Sequence, residues 1–151
     1  MRFWIGVGLC LAISASAGTN QAGPSTVRDV ELAQRLGADE RGMRKYVLVL
    51  LRTGLYVAKS EDERARLFEG HFANINRLAE QGKLLVAGPM EQNDQQYRGV
   101  FILSVSTISE AQAMVADDPT VASGIFLPAY FEWYASAALV ETANIHRRIA
   151  P

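Results

Sequence analysis

Three short stretches of this sequence are apolar at every position, and this feature most limits the folds available to the chain. They are VLVLL at residues 47–51, LLVA at 84–87 and VFIL at 100–103. A strand whose sheet is covered on one face only alternates apolar and polar side chains. These stretches do not alternate, and they therefore predict strands of a sheet that is covered on both faces.

Capping and turn signals set the order of the elements around these strands. Ser60 with Glu63 forms a capping box that begins one helix, and Ser109 with Gln112 has the pattern for a second. Pro128 favours an edge or irregular position for the last strand. The predicted elements are strand 45–52, helix 60–81, strand 83–89, strand 98–105, helix 109–116 and strand 125–134. This β-α-β-β-α-β order predicts a ferredoxin-like α+β fold with an antiparallel sheet.

The second face of such a sheet needs a cover that the two long helices do not provide. The simplest cover is the same sheet of another copy, packed face to face, and we therefore expect a homodimer. A short helix, predicted at residues 27–36 and ended by Gly37, is the alternative cover within one subunit. Both arrangements agree with the apolar pattern.

The first 17 residues have the pattern of a secretory signal peptide. Arg2 supplies a positive start, residues 3–13 form an apolar run too short to span a membrane comfortably, and residues 15–17 read Ala-Ser-Ala. We expect a mature protein that begins near Gly18, lies in the periplasm or is secreted, and has no membrane association after cleavage. Cys10 is the single cysteine, so the mature chain would have neither a disulfide nor a cysteine nucleophile.

Length and composition indicate one domain and make nucleic acid, metal and cofactor unexpected partners. Removing 17 of 151 residues leaves 134, divided into a leader (18–43), a domain (44–139) and a C-terminal tail (140–151). Without Arg2 the 15 basic residues become 14 against 16 acidic ones, a net charge of −2 with no basic block, so nucleic acid is not an expected partner. The sequence contains no glycine-rich phosphate loop, and its two histidines are far apart, so we expect no cofactor and no metal.

His71 lies on the apolar stripe of the first predicted helix. Leu67 precedes it by four residues and Ile75 follows it by four, which places the imidazole on the buried side. One interpretation is a core histidine that bonds a backbone carbonyl, since buried polar groups are usually satisfied in this way. The other is a functional histidine beside a pocket.

Three segments resemble the YCII-related family of the dimeric α+β barrel superfamily in their order and spacing. They are GHFANINRLAEQGKLLVAGP, RGVFILSVSTISEAQAMVADDP and WYASAAL, and the resemblance covers residues 44–139. It implies a pair formed by a histidine on the first helix and an aspartate before a proline, matched here by His71 and by Asp118 of DDP. Many members carry an arginine three residues before this histidine. Here that position is Phe68, with Arg64 and Arg66 nearby.

The implied pair suits general acid/base chemistry. A carboxylate that accepts a hydrogen bond from one imidazole nitrogen fixes the tautomer and leaves the other nitrogen as a base. We therefore expect an enzyme-like protein that acts on a small organic molecule by elimination or isomerisation. The alternative is a non-catalytic dimeric module that binds a small ligand in the same pocket. Asp118 before Pro119 is also a standard helix N-cap, and the neighbouring Asp117 is the alternative carboxylate.

Overall fold

The computed structural model describes residues 27–150, and the expected signal peptide with its cleavage site lies outside them. The elements are α1 (Val30–Arg35), β1 (Met43–Thr53), α2 (Glu61–Glu80), β2 (Leu84–Pro89), β3 (Tyr97–Leu103), α3 (Ile108–Val115), α4 (Pro119–Ala122) and β4 (Phe126–Ser136), followed by a 3-10 helix (Ala137–Glu141) and α5 (Thr142–Ile149). No helix between residues 27 and 150 is long and apolar enough to cross a membrane.

The four strands form one antiparallel sheet in the order β2-β3-β1-β4. The predicted α+β class and the β-α-β-β-α-β order are confirmed, with α4 and α5 as short additions. β4 is an edge strand, as Pro128 indicated, and Pro128 lies opposite Leu51. An edge position suits proline because its nitrogen has no hydrogen to donate to a second neighbour.

The core lies between the sheet and the long helices. Residues of one face of β1 and β3 pack there against α2 and α3; the buried set includes Val47, Val49, Leu51, Leu78, Phe101, Leu103, Ala111 and Val115. Most of these side chains are fully buried. This layer fixes α2 on the sheet and so fixes the direction in which its buried side chains point.

The other face of the sheet is apolar but only partly covered. At one end Tyr46 is buried in a cluster that includes Leu139 and Val140 of the C-terminal segment. Towards the other end Phe131 and Leu127 remain 47% and 42% exposed. The leader helix α1 buries none of its own residues and leaves these side chains uncovered. Residues 27–150 therefore cover one end of this face and leave an apolar remainder.

The helix caps agree with the sequence at α2 and differ at α3. Ser60 caps α2, accepting a hydrogen bond from the backbone nitrogen of Glu63 at 3.1 Å. The cap of α3 is Thr107, two residues before the predicted Ser109, because the Glu110 nitrogen donates to the Thr107 hydroxyl oxygen and this hydroxyl donates to the Glu110 carboxylate. The negative charge of Glu110 then lies in the first turn, which the helix dipole favours.

Candidate active site

Helix α2 presents three buried residues to the interior of the protein: His71, Asn74 and Leu78. Their spacing of three and four residues places them on one side of the helix. Leu78 joins the apolar core, whereas His71 and Asn74 meet the start of α4. Only 7% of His71 is exposed. The other histidine, His146, lies exposed on α5.

The partner carboxylate comes from the first turn of α4. Asp118 is the N-cap of this helix: its Oδ1 accepts a hydrogen bond from the backbone nitrogen of Thr120 at 3.0 Å, and Pro119 is the first helical residue. Asp118 is completely buried, whereas Asp117 is exposed. The structure therefore places Asp118 and not Asp117 inside the site.

His71 and Asp118 meet directly. Nδ1 of His71 lies 2.7 Å from Oδ2 of Asp118. Oδ1 accepts the hydrogen bond of the helix cap and Oδ2 accepts that of the imidazole, so one carboxylate both caps α4 and orients His71. The His71–Asp118 contact is the shortest side-chain link between α2 and α4, and within residues 27–150 it is the one contact closer than 4.0 Å between a basic side-chain nitrogen and a carboxylate oxygen.

Two further residues that the sequence did not single out complete the network. The Thr120 hydroxyl donates to Oδ1 of Asp118 at 2.6 Å and lies 3.2 Å from Nδ1 of His71. Asn74 donates weakly to Oδ2 of Asp118 at 3.4 Å, and its own side-chain oxygen accepts a hydrogen bond from Arg77 at 2.6 Å. The sequence did contain an indication for Asn74, because a polar residue three positions after His71 lies on the same buried side of the helix.

These contacts keep the Asp118 carboxylate ionised. Burial alone would raise its pKa, but the hydrogen bonds from His71 and Thr120 outweigh burial and hold the pKa below its ordinary value of 3.8. An ionised carboxylate only accepts hydrogen bonds, so the bond at 2.7 Å requires a proton on Nδ1 of His71. In the neutral imidazole, Nε2 then carries the lone pair.

Four phenylalanine rings surround the imidazole. The ring centroids of Phe68, Phe72, Phe101 and Phe126 lie between 5.5 and 6.1 Å from that of His71. Nε2 makes no hydrogen bond to any residue from 27 to 150, yet no buried side-chain polar atom in this range lacks a partner. Nε2 is therefore accessible from outside, in surroundings that are otherwise apolar.

Histidine and aspartate side chains that lie close together can also serve as metal ligands. The part of the chain from residue 27 to 150 contains no group of three or more histidine, cysteine, aspartate or glutamate side chains with the geometry of a metal site. What the arrangement offers is one oriented imidazole with an accessible nitrogen.

Comparison with known proteins places most of this fold in one family. Residues 48–133 match the model of the YCII-related domain, and this range includes both His71 and Asp118. Protein YciI of Escherichia coli and that of Shigella flexneri are each 33% identical to the chain over 76 residues, which is 46% of this chain and 78% of the relative.

Solved structures that are similar to this chain include the 5-chloro-2-hydroxyhydroquinone dehydrochlorinase of Burkholderia phenoliruptrix in complex with 2,5-dihydroxybenzoquinone. The match has 22% identity and a TM-score of 0.41, and it covers 58% of this chain and 92% of that one.

Proposed function

The chain belongs to the YCII-related family, and from that premise we propose that it is an enzyme that acts on a small organic molecule with His71 as its general acid/base. The observation that carries this proposal is the 2.7 Å contact from Nδ1 of His71 to the buried carboxylate of Asp118, with Nε2 left accessible. Asp118 acts through His71 and is its positioning residue.

The pair suits removal of a proton from a carbon next to a carbonyl. Nε2 takes the proton, and the carboxylate stabilises the imidazolium that forms. In an isomerisation the same nitrogen returns the proton to a different carbon. In an elimination the electron pair of the C–H bond forms a double bond while a leaving group departs with its own electron pair. The surrounding phenylalanines keep the site apolar, which strengthens the interaction between the imidazolium and the carboxylate.

A purely structural histidine is the competing explanation. A histidine enclosed in the core would use both ring nitrogens for hydrogen bonds, because an unpaired buried polar atom is costly. In this protein one nitrogen is bound by a charged, fully buried group while the other has no partner within residues 27–150. This asymmetry favours a histidine that serves a ligand.

We further propose that the protein works as a homodimer of the α+β barrel type. The support is the open, apolar remainder of the sheet, where Leu48 lies opposite Phe131 and Leu50 opposite Ala129. A second copy of the same face would bury these side chains. The amino-terminal pattern of Arg2 followed by an apolar run and Ala-Ser-Ala supports export to the periplasm or beyond.

Proton transfer at carbon is measurable without knowing the natural substrate. A panel of small cyclic carbonyl compounds and quinols is incubated with the protein in D2O, and deuterium incorporation is followed by mass spectrometry. We expect incorporation into at least one compound, reduced about 10²- to 10⁴-fold by His71→Gln. His146→Gln, which changes the exposed histidine of α5, is the control and should exchange like the wild type.

Two outcomes would contradict the proposal. Exchange that is equal in the wild type and in His71→Gln would remove His71 from the chemistry. Binding of a panel compound without any exchange would favour the non-catalytic binding module.

A further inference from the structure

A cleft of about 400 Å³ on the helix-covered side of the sheet is lined by Phe68 and Phe126, the two rings that also contact the His71 imidazole. Five segments line the cleft: the end of β1, the loop before α2, the first half of α2 and the starts of β3 and β4. The lining side chains include Thr53, Tyr56, Arg64, Phe68, Arg98 and Phe126. Its volume lies within the usual range for a small-molecule site. Phe68 and Phe126 also contact His71, so the cleft and the imidazole share two walls.

One cationic side chain of the cleft is on the same helix face as His71. Arg64, Phe68 and His71 are spaced by four and three residues, so they follow one another along α2. The Arg64 guanidinium carbon lies 4.7 Å from the centre of the Phe68 ring. A guanidinium in this position is attracted by the ring and is held over it.

The second cationic side chain comes from β3. Arg98 is partly buried, and its Nε donates to the Thr53 hydroxyl at 2.9 Å. Neither Arg64 nor Arg98 has a carboxylate of residues 27–150 within 4.0 Å. Glu63 is the acidic side chain nearest in sequence to Arg64, and its carboxylate is bound by the Tyr56 hydroxyl and the Lys59 backbone. The lining contains no acidic residue, so neither guanidinium is paired with a carboxylate of the described residues.

We propose that this cleft binds a planar organic anion, with its carboxylate on Arg98 and Arg64 and its ring on Phe68 and Phe126. This inference rests on the proposed function, because it names the substrate class of the same site. Arginine suits the role, since its planar guanidinium pairs with a carboxylate through two hydrogen bonds. The backbones of Arg64 and His71 are two helical turns apart, about 10 Å along the helix axis, and the Phe68 ring lies between them in sequence and contacts both side chains.

The probe is benzoate, with benzamide as the uncharged molecule of the same shape. Binding to the full mature chain is followed by calorimetry and by shifts of the Phe68 and Phe126 ring signals in NMR. We expect saturable benzoate binding that weakens with salt, and weaker binding of benzamide. Arg98→Met and Arg64→Met should each weaken benzoate binding about ten- to hundredfold. Arg66→Met is the control, because Arg66 is exposed on the same helix and does not line the cleft.

Three results would overturn the inference: no saturation with benzoate up to about 10 mM, equal binding of benzoate and benzamide, or unchanged binding in both Arg98→Met and Arg64→Met. Arg64 is exposed, so Arg64→Met provides a test that does not depend on the folding of Arg98→Met. Benzoate binding should persist in His71→Gln. The two experiments are therefore independent. Benzoate binding can be absent while deuterium exchange depends on His71, and exchange can be absent while benzoate binds.

Discussion

Gly70 lies so close to Pro119 that no side chain fits between them. A Cβ atom built on Gly70 would come within 2.6 Å of Cγ of Pro119. Gly70 precedes His71 in α2, and Pro119 follows Asp118 at the start of α4. The closeness of these two helices is therefore what brings the imidazole and the carboxylate to hydrogen-bond distance.

The first prediction concerns this contact. Alanine favours a helix interior over glycine by about 1 kcal/mol, but a methyl group at Gly70 must push the rigid ring of Pro119 away. We expect Gly70→Ala to lower the free energy of unfolding by about 1–3 kcal/mol, measured by urea denaturation. Gly88→Ala is the control, since a Cβ there meets no atom within 4 Å. A Gly70→Ala protein as stable as the wild type would show that the helices can separate without cost.

The second prediction concerns Thr120, whose hydroxyl donates to Oδ1 of Asp118 at 2.6 Å. Thr120→Val keeps the shape of the side chain and removes that donor from a fully buried carboxylate. We expect a loss of about 1–3 kcal/mol in the free energy of unfolding. Thr142→Val in α5 removes a hydroxyl for which the structure gives no hydrogen bond, and it should have little effect. Equal losses in the two variants would contradict a supporting role for Thr120.

The third prediction concerns pH. The folded pKa of Asp118 lies below its unfolded value of about 3.9, so its contribution to stability is complete above the unfolded pKa and is lost as the pH falls through the folded pKa. Urea denaturation between pH 7 and about pH 3 should therefore show stability falling with acid. Asp118→Asn should reduce this slope, whereas Asp117→Asn should keep it, because Asp117 is exposed.

Part of the acid slope should survive in Asp118→Asn. Hydrogen bonds from Tyr134, Tyr56 and Thr107 also lower the pKa values of Asp39, Glu63 and Glu110, respectively. A slope that is identical in the wild type and in Asp118→Asn would contradict the assignment of a depressed pKa to Asp118.

The fourth prediction concerns the proposed dimer. Phe131→Asp places a charge on the exposed apolar part of the sheet, and burying it unpaired in a dimer would cost several kcal/mol. Light scattering should show a dimer for the wild type and a monomer for Phe131→Asp. Ala113→Asp is the control, because Ala113 is exposed on α3, away from the sheet face. A wild type that is monomeric at micromolar concentration would remove this proposal.

The sequence predicted which helices and strands form better than it predicted their caps and their tertiary contacts. Apolar runs and caps are local signals, so the order of the elements along the chain and the Ser60 cap of α2 followed from them. The start of α3 was misplaced because TISEAQ contains two overlapping capping boxes, and only the folded chain shows that Thr107 caps the helix. The contact of residues 139 and 140 with the buried Tyr46 depends on tertiary packing, which a local pattern does not contain.

The candidate site was predictable in part for a similar reason. His71 was marked by its place on an apolar stripe, and the family resemblance pointed to Asp118. The approach of Thr120 and Asn74 to that carboxylate depends on how closely α2 meets α4, and hence on Gly70 and Pro119. The cleft with Arg64 and Arg98 joins residues of two distant segments, so its outline required the fold.

We propose that Asp118 holds a proton on Nδ1 of His71 and leaves Nε2 free to act as a base. The most direct measurement is the ¹⁵N NMR spectrum of the His71 ring, recorded at a pH where the imidazole is neutral. We expect a protonated Nδ1 and an unprotonated Nε2 in the wild type, with this preference weakened in Asp118→Asn. A proton on Nε2 in the neutral wild-type protein would contradict it.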